Sequence, residues 1–190
     1  MLTARTLLEA DIYVALTRAQ EEPEPGVELL PAPGFEPGVN MTEGPDAWVY
    51  ASPVGEITIP YASEKSATLT GAHWGLGRSR LVDAAEWVAV GRLYWERGVE
   101  ADMAYNGEPG RERNLVALNY ELAAEAIAEA IKFLPEGADR VPDEAIWTTY
   151  GADILADDPY AVTRARLEED LETYRGTLAD FRSLHGTGDS

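Results

Sequence analysis

The apolar residues of this chain switch between the two-residue period of a strand and the longer period of a helix, without any regular alternation. Strand-like runs occur at 11–16, 48–51, 57–59, 102–106, 114–119 and 146–150. Helix-like stripes occur at the N-terminus and over 79–97, 121–134 and 159–184. A parallel sheet would need repeating strand–helix–strand units, which this order lacks. The pattern predicts an α+β fold, in which a mostly antiparallel sheet packs against two or three helices and the C-terminal helix is long.

Capping and turn-forming residues set the predicted ends of these elements. We expect Ser79 to cap a helix that ends at Gly98. We expect the terminal helix to begin with Asp158 as its cap and Pro159 in its first turn. The Asn-Gly-Glu-Pro-Gly run at 106–110 predicts a turn between two strands.

The segment 20–45 is rich in proline, glycine and glutamate and shows no period. Because proline fixes φ and removes a hydrogen-bond donor, we expect an irregular loop that is either disordered or a binding element. The chain can form one hydrophobic core, since 45% of its 190 residues are hydrophobic. The sequence thus predicts a single domain over 1–185 and a flexible tail at 186–190.

The formal net charge of −19 limits the partners that this chain can bind. A negative surface repels nucleic-acid phosphates and anionic lipids, so neither nucleic acid nor a membrane is expected as a partner. The charge either keeps the protein in solution and has no further role, or steers it towards a basic protein partner.

Composition also argues against several kinds of chemistry. The chain has no cysteine, which removes thiol catalysis, disulfides and thiolate metal sites. The sequence shows neither metal-ligand spacing nor a nucleophile–base pair, and we predict no metal or other cofactor. Arg5, Glu9 and Asp11 interrupt the apolar N-terminal run, so it does not resemble a secretion signal, and no apolar run is long enough to span a membrane. These features favour a cytoplasmic protein.

Three glutamates follow one another at four-residue spacing on the predicted helix over 121–134. Glu121, Glu125 and Glu129 would lie on one face, where like charges destabilise an isolated helix by about a few tenths of a kcal/mol per pair. They form either an acidic ridge that binds basic side chains of a partner or a solvated face without a role.

Trp74, Asp153 and Asp157 complete the predicted partner-binding residues. Trp74 lies in a glycine-rich loop, where we expect it to be exposed, and tryptophan is enriched among the residues that dominate protein interfaces. The other four tryptophans, Trp147 among them, lie in predicted helices and strands, where we expect them to pack in the interior. Carboxylates such as those of Asp153, Asp157 and Asp158 suit Mg²⁺ or Ca²⁺. Their spacing is not that of a calcium-binding loop, however, and no metal site is predicted there.

The loop 71–80 supports the main alternative, an enzyme. Its three glycines would let backbone N–H groups approach an anion at the start of the following helix, and His73 would act as an acid or base. The spacing matches neither a P-loop nor a dinucleotide-binding motif, so the loop can equally be a plain connector. On the enzymatic alternative the chain is a small hydrolase or transferase with an anionic substrate.

The terminal helix carries apolar residues at alternating spacings of four and three, which is the seam of a coiled coil. The seam consists of Leu167, Leu171, Tyr174, Leu178 and Phe181. Because Gly176 lies inside it and costs about 1 kcal/mol relative to alanine, we expect this helix to dock on the chain's own sheet. The alternative is a homodimer through 159–184, as in a phage or bacterial assembly protein.

Three segments resemble the N-terminal domain of SseB-like proteins, a bacterial family. They are Leu-Leu-Glu-Ala-Asp-Ile-Tyr-Val-Ala-Leu at 7–16, Glu-Ile-Thr-Ile-Pro-Tyr-Ala-Ser at 56–63 and Asp-Met-Ala-Tyr-Asn-Gly-Glu-Pro-Gly at 102–110. Ala15 stands where that family has proline, and Asn106-Gly107 only approximates its Asn-Pro-Gly turn. The resemblance implies an α+β domain with an accessory or secretion-linked role, and it carries over no functional residue.

Charge, composition and the candidate residues together favour binding over catalysis. We expect a non-enzymatic acidic protein that binds a basic protein partner, either as an immunity-type inhibitor or as a secretion-associated accessory factor.

Overall fold

The computed structural model describes residues 2–21, 41–108 and 110–186. Within these ranges the chain forms six α-helices, one short 3-10 helix and a four-stranded mixed sheet, and the α+β prediction is confirmed. The chain divides into two compact units, an N-terminal unit over Met1–Val82 and a C-terminal unit over Asp83–Ser190. Most of the predicted loop at 20–45 and of the predicted tail lies outside the described residues.

The N-terminal unit contains the sheet and two helices. Its elements are β1 (Leu2–Thr3), α1 (Leu7–Glu21), β2 (Met41–Glu43), β3 (Ala47–Ser52), β4 (Gly55–Pro60) and α2 (Tyr61–Thr70). The strand order is β1-β4-β3-β2, in which only β1 runs parallel to its neighbour. The predicted hairpin is confirmed as β3 and β4, and both α1 and α2 pack against β4.

The prediction of a strand at 11–16 is wrong, because these residues belong to α1. Ile12, Val14 and Leu16 are buried as the strand pattern requires, but the adjacent residues Glu9 and Ala10 are both buried, and the residues that alternate with Ile12, Val14 and Leu16 are half-buried. A helix that is covered on most of its surface buries positions two apart as well as positions four apart, so its pattern imitates a strand. The predicted opening helix is also wrong at its start, where Leu2 and Thr3 form β1.

The C-terminal unit is entirely helical in its regular elements. They are α3 (Ala84–Ala104), α4 (Arg111–Ile131), the 3-10 helix (Asp143–Ala145), α5 (Thr149–Asp157) and α6 (Arg164–His185). The predicted strands at 102–106, 114–119 and 146–150 are therefore wrong. The described residues of the predicted turn at 106–110 lie between α3 and α4, whereas Pro109 is outside the described residues. The helix predicted at 121–134 begins ten residues earlier, at Arg111.

Two glycines let α3 and α4 approach each other closely. A Cβ added at Gly91 would lie 2.8 Å from Ile127, and one added at Gly98 would lie 2.8 Å from the ring of Tyr120. The two contacts pair Gly91 with Ile127 and Gly98 with Tyr120. The residue number rises by seven on α3 while it falls by seven on α4, so the two helices run antiparallel. Gly98 was expected to end the helix, but it lies inside α3 as a packing residue.

The C-terminal helix docks on the chain's own helix α4, not on the sheet as expected. Four of the five seam residues are buried: Leu167, Tyr174, Leu178 and Phe181. Phe181 and Leu178 form a core cluster with Val116 and Tyr120 of α4. The seam is covered within the C-terminal unit, so it does not offer an open face for a partner helix.

The terminal helix also begins later than predicted. It starts at Arg164, after Thr163, and Asp158 instead accepts a hydrogen bond from the backbone N–H of Tyr160 at 3.1 Å. An isolated bridge between Arg140 and Thr163 pairs the chain here with the segment after α4, and this pairing fixes where α6 begins.

Replacing the packing glycine and a solvent-facing glycine by alanine should have opposite effects. We expect Gly98→Ala to lower the free energy of unfolding by about 1–3 kcal/mol, because the added methyl group overlaps the buried Tyr120 ring. Gly176→Ala in α6 meets nothing within 4 Å and should gain about 1 kcal/mol from helix propensity. Urea unfolding of both variants measures the difference, and an equal gain in both would contradict the close α3–α4 approach.

The pH dependence of stability should report the burial of Asp11 in α1. Burial raises the pKa of the Asp11 carboxyl above its ordinary value of 3.8, although a hydrogen bond from Tyr50 opposes the rise. The stabilisation tied to the protonated carboxyl is therefore complete below the unfolded pKa of about 3.9 and is lost as pH rises through the folded pKa. We expect Asp11→Asn to gain stability relative to the unmodified chain as pH rises from about 4 to 7. Urea unfolding across this range tests it, and a difference independent of pH would contradict the assignment.

Candidate protein-binding surface

The predicted acidic ridge on α4 is not an exposed row of carboxylates. Glu129 is only 4% exposed and pairs with Lys132. Glu121 accepts a hydrogen bond of 2.8 Å from the Arg182 guanidinium of α6, and Glu125 is half-buried. Since α4 is covered over much of its surface, four-residue spacing does not place these three side chains in solvent.

Trp74 was expected to be exposed, but it is only 1% exposed and does not offer its ring to a partner. The glycine-rich loop around it is held against the N-terminal segment. Thr6 donates a hydrogen bond of 3.0 Å to the carbonyl of His73, and Arg5 donates one to the carbonyl of Gly77. A Cβ at Gly75 would lie 2.5 Å from Arg5 Cβ, so the close approach needs glycine there. These contacts give the loop a structural role.

The helix after this loop does not start where the anion-binding alternative needs it. It was predicted to begin at Ser79, but α3 begins at Ala84. Ser79 instead accepts hydrogen bonds from the backbone N–H groups of Leu81 and Val82 and closes a turn. His73, the predicted acid or base, is half-buried in the loop.

A buried carboxylate fills the position at the start of α3 that an anion would occupy. Asp83 is fully buried, and its Oδ1 accepts a hydrogen bond of 2.9 Å from the N–H of Glu86. Glu86 in turn accepts one of 3.0 Å from the N–H of Asp83, which completes a capping box. The N–H groups of Glu86 and Trp87 at this helix end are therefore hydrogen-bonded to Asp83, the latter through its carbonyl oxygen.

The second oxygen of Asp83 holds the segment that follows the 3-10 helix. Asp83 Oδ2 accepts hydrogen bonds from Trp147 N–H at 3.1 Å, from Thr148 N–H at 3.0 Å and from the Thr148 hydroxyl at 2.8 Å. The Thr148 hydroxyl also accepts a hydrogen bond of 2.9 Å from Gly151 N–H and so caps α5. One carboxylate thus fixes the backbone at the beginnings of both α3 and α5.

The segment fixed in this way presents a tryptophan to solvent. Trp147 is 46% exposed, although its ring also contacts Phe133 at 5.9 Å between centroids. Tyr160, beyond the end of α5, is 74% exposed. Trp147 was expected to pack inside a strand, so the sequence pattern selected the wrong tryptophan for the surface.

Exposed carboxylates accompany these two aromatic residues along the same segment. Residues 143–160 contain five acidic residues and no lysine or arginine. Four of the five are exposed: Asp143, Glu144, Asp153 and Asp157. We refer to residues 143–160 as the acidic–aromatic segment.

Asp153 and Asp157 are the two predicted partner-binding residues that lie in solvent. They are one turn apart on α5. Asp158, which follows them, lies 3.8 Å from the Arg92 guanidinium of α3, so part of its charge is compensated. Within the described residues these aspartates do not gather into a group of three metal ligands.

None of the helices in the described part of the chain has a stretch long and apolar enough to cross a membrane. Comparisons with known proteins found no match to a protein-family model, to a curated protein or to a solved structure. The resemblance to SseB-like proteins stays a prediction.

Removal of the Asp83 carboxylate should loosen the acidic–aromatic segment as well as α3. We expect Asp83→Ala to lower the free energy of unfolding by about 3 kcal/mol or more, because several buried donors lose their acceptor at once. The exposed Asp143→Ala should change it by about 0.5 kcal/mol or less.

Urea unfolding and amide hydrogen exchange measure this effect. In Asp83→Ala the amides of Trp147 and Thr148 should lose protection, whereas Asp143→Ala should leave both protected. Retained protection at the two amides would show that the carboxylate does not hold the segment.

Proposed function

We propose that this chain is a non-enzymatic binding protein that uses its acidic–aromatic segment to contact a basic protein partner. It would act on that partner either as an immunity-type inhibitor or as a secretion-associated accessory factor. The observation that carries the proposal is the exposure of Trp147 beside a run of carboxylates, on a backbone fixed by a buried aspartate.

The charge of the segment favours association with a positive surface. Asp143, Glu144, Asp153 and Asp157 are exposed, and no basic residue of the segment itself balances them. With the overall charge of −19, this arrangement raises the rate of encounter with a basic protein and repels nucleic acid and acidic proteins. The charge contributes more to rate and selectivity than to the strength of the final complex.

The aromatic side chains supply the contact energy that surface charge does not. Tryptophan and tyrosine are enriched among the interface residues whose removal weakens binding most. Trp147 contacts Phe133 and is nearly half exposed, so its ring is oriented before a partner arrives. A side chain that is already ordered loses less entropy on binding, which strengthens the complex.

The charges and the aromatic side chains of the segment indicate what surface a complementary partner would have. It would carry lysine or arginine side chains that face the carboxylates of α5, and an apolar recess that accepts the indole of Trp147. A basic protein whose active or nucleic-acid-binding face is positively charged has the first of these features, and occupation of that face would block it.

Affinity capture with paired charge-reversal variants tests the proposal. The unmodified chain, Trp147→Ala and the double variant Asp153→Lys/Asp157→Lys would each be used to capture proteins from a lysate of host cells. The control is Glu172→Lys/Asp180→Lys on α6, which makes the same change in net charge at two other exposed carboxylates. Bound proteins would be quantified by mass spectrometry across a salt series.

We expect one basic protein that is retained by the unmodified chain and by the α6 control, and that is lost with the α5 double variant. Trp147→Ala should weaken its retention at every salt concentration, because the indole contact does not depend on ionic strength. Equal loss with both double variants would mean that the captured protein responds to net charge alone. Retention by all variants would remove the segment from the interface.

A further inference from the structure

A second surface of the C-terminal unit differs in charge from the rest of the chain. Helices α4 and α6 enclose a cleft of about 200 Å³. It is lined by Arg113, Asn114, Ala117, Leu118, Glu121, Phe181, Arg182 and Gly186. Two arginines and one glutamate give these walls a net charge of +1, in a chain whose net charge is −19. The cleft is thus locally positive, so an anion would be held there by nearby arginine and not by the field of the whole chain.

The two arginines are held in different ways. Arg182 donates a hydrogen bond of 2.8 Å to Glu121, so these two charges balance each other across the cleft. Arg113 donates a hydrogen bond of 3.2 Å to the carbonyl of His185, which anchors one nitrogen of its guanidinium without neutralising it. No carboxylate of the described residues pairs with Arg113. A guanidinium has five N–H donors in a plane, so Arg113 keeps donors for a further acceptor.

Part of the remaining lining is apolar, while Asn114 adds a polar side chain to it. Ala117 and Leu118 of α4 face the cleft together with the Phe181 side chain of α6. Phe181 itself belongs to the packed cluster with Tyr120, so this wall is fixed. An anchored guanidinium beside a fixed apolar wall is a combination that binds a carboxylate attached to an apolar body.

We infer that the α4–α6 cleft is a binding site for a small organic carboxylate with an apolar or aromatic body. The carboxylate would accept hydrogen bonds from Arg113, and the body would lie against Leu118 and Phe181. A cleft of about 200 Å³ suits a compact acid better than an extended one. This site is separate in residues from the acidic–aromatic segment, so either proposal can fail without the other.

Titration with benzoate, followed by the amide resonances of the ¹⁵N-labelled full chain, tests the inference. Benzamide, which has nearly the same shape and no charge, is the matched ligand. We expect benzoate to shift resonances of residues 113–121 and 181–186 in a saturable way, whereas benzamide should bind at least about tenfold more weakly, since charge-assisted hydrogen bonds are the stronger ones.

Three variants assign the effect to the cleft. Arg113→Gln should weaken benzoate binding about tenfold or more, and the neighbouring exposed Arg111→Gln, which does not line the cleft, should leave it unchanged. If Arg113→Gln fails to fold, Asn114→Asp places a negative charge in the lining at an exposed position and should also weaken binding. The absence of saturation, equal binding of benzamide, or equal loss with Arg111→Gln would each overturn the inference.

Discussion

The C-terminal unit depends on the burial of one carboxylate. A charged group without contact to solvent costs several kcal/mol unless hydrogen bonds compensate it, and Asp83 receives such bonds from Glu86, Trp147 and Thr148. Because these donors belong to the start of α3 and to the residues just before α5, one carboxylate sets the backbone geometry at both places. The orientation of Trp147 in solvent is thus a consequence of an interaction in the interior.

The sequence predicts the fold class, the β3–β4 hairpin and most of α6, but in the C-terminal unit it cuts α3 and α4 short and places strands at 102–106, 114–119 and 146–150. Val116, Tyr120, Ala123, Ile127 and Ala130 continue one helical stripe at spacings of four and three, so the stripe of α4 could have been followed upstream of residue 121. The stripe of α3 was found, but the helix was ended too early, at Gly98. A glycine is usually interpreted as a helix end, whereas here its small size allows close packing.

The exposure of individual side chains on the candidate surface was likewise only partly predictable from the sequence. The excess of acidic over basic residues in 143–160 can be counted in the sequence. This segment contains Asp153 and Asp157, the two predicted partner-binding aspartates, and both are exposed. Period and composition do not say which faces of a helix other segments cover. Glu129 and Trp74 were therefore placed in solvent although both are buried, and Trp147 was placed in the interior although nearly half of it is exposed.

The contact between Gly151 and Asp83 has a consequence for the evolution of this chain. A Cβ at position 151 would lie 2.4 Å from Asp83 Oδ2, so no other residue fits there while the aspartate remains. A residue larger than glycine fits at 151 only if the side chain at position 83 becomes shorter than aspartate. A shorter side chain at 83 in turn leaves a gap, which a larger residue nearby would have to fill. Among descendants of this sequence the two positions should accordingly be retained together or exchanged together, although they are far apart along the chain.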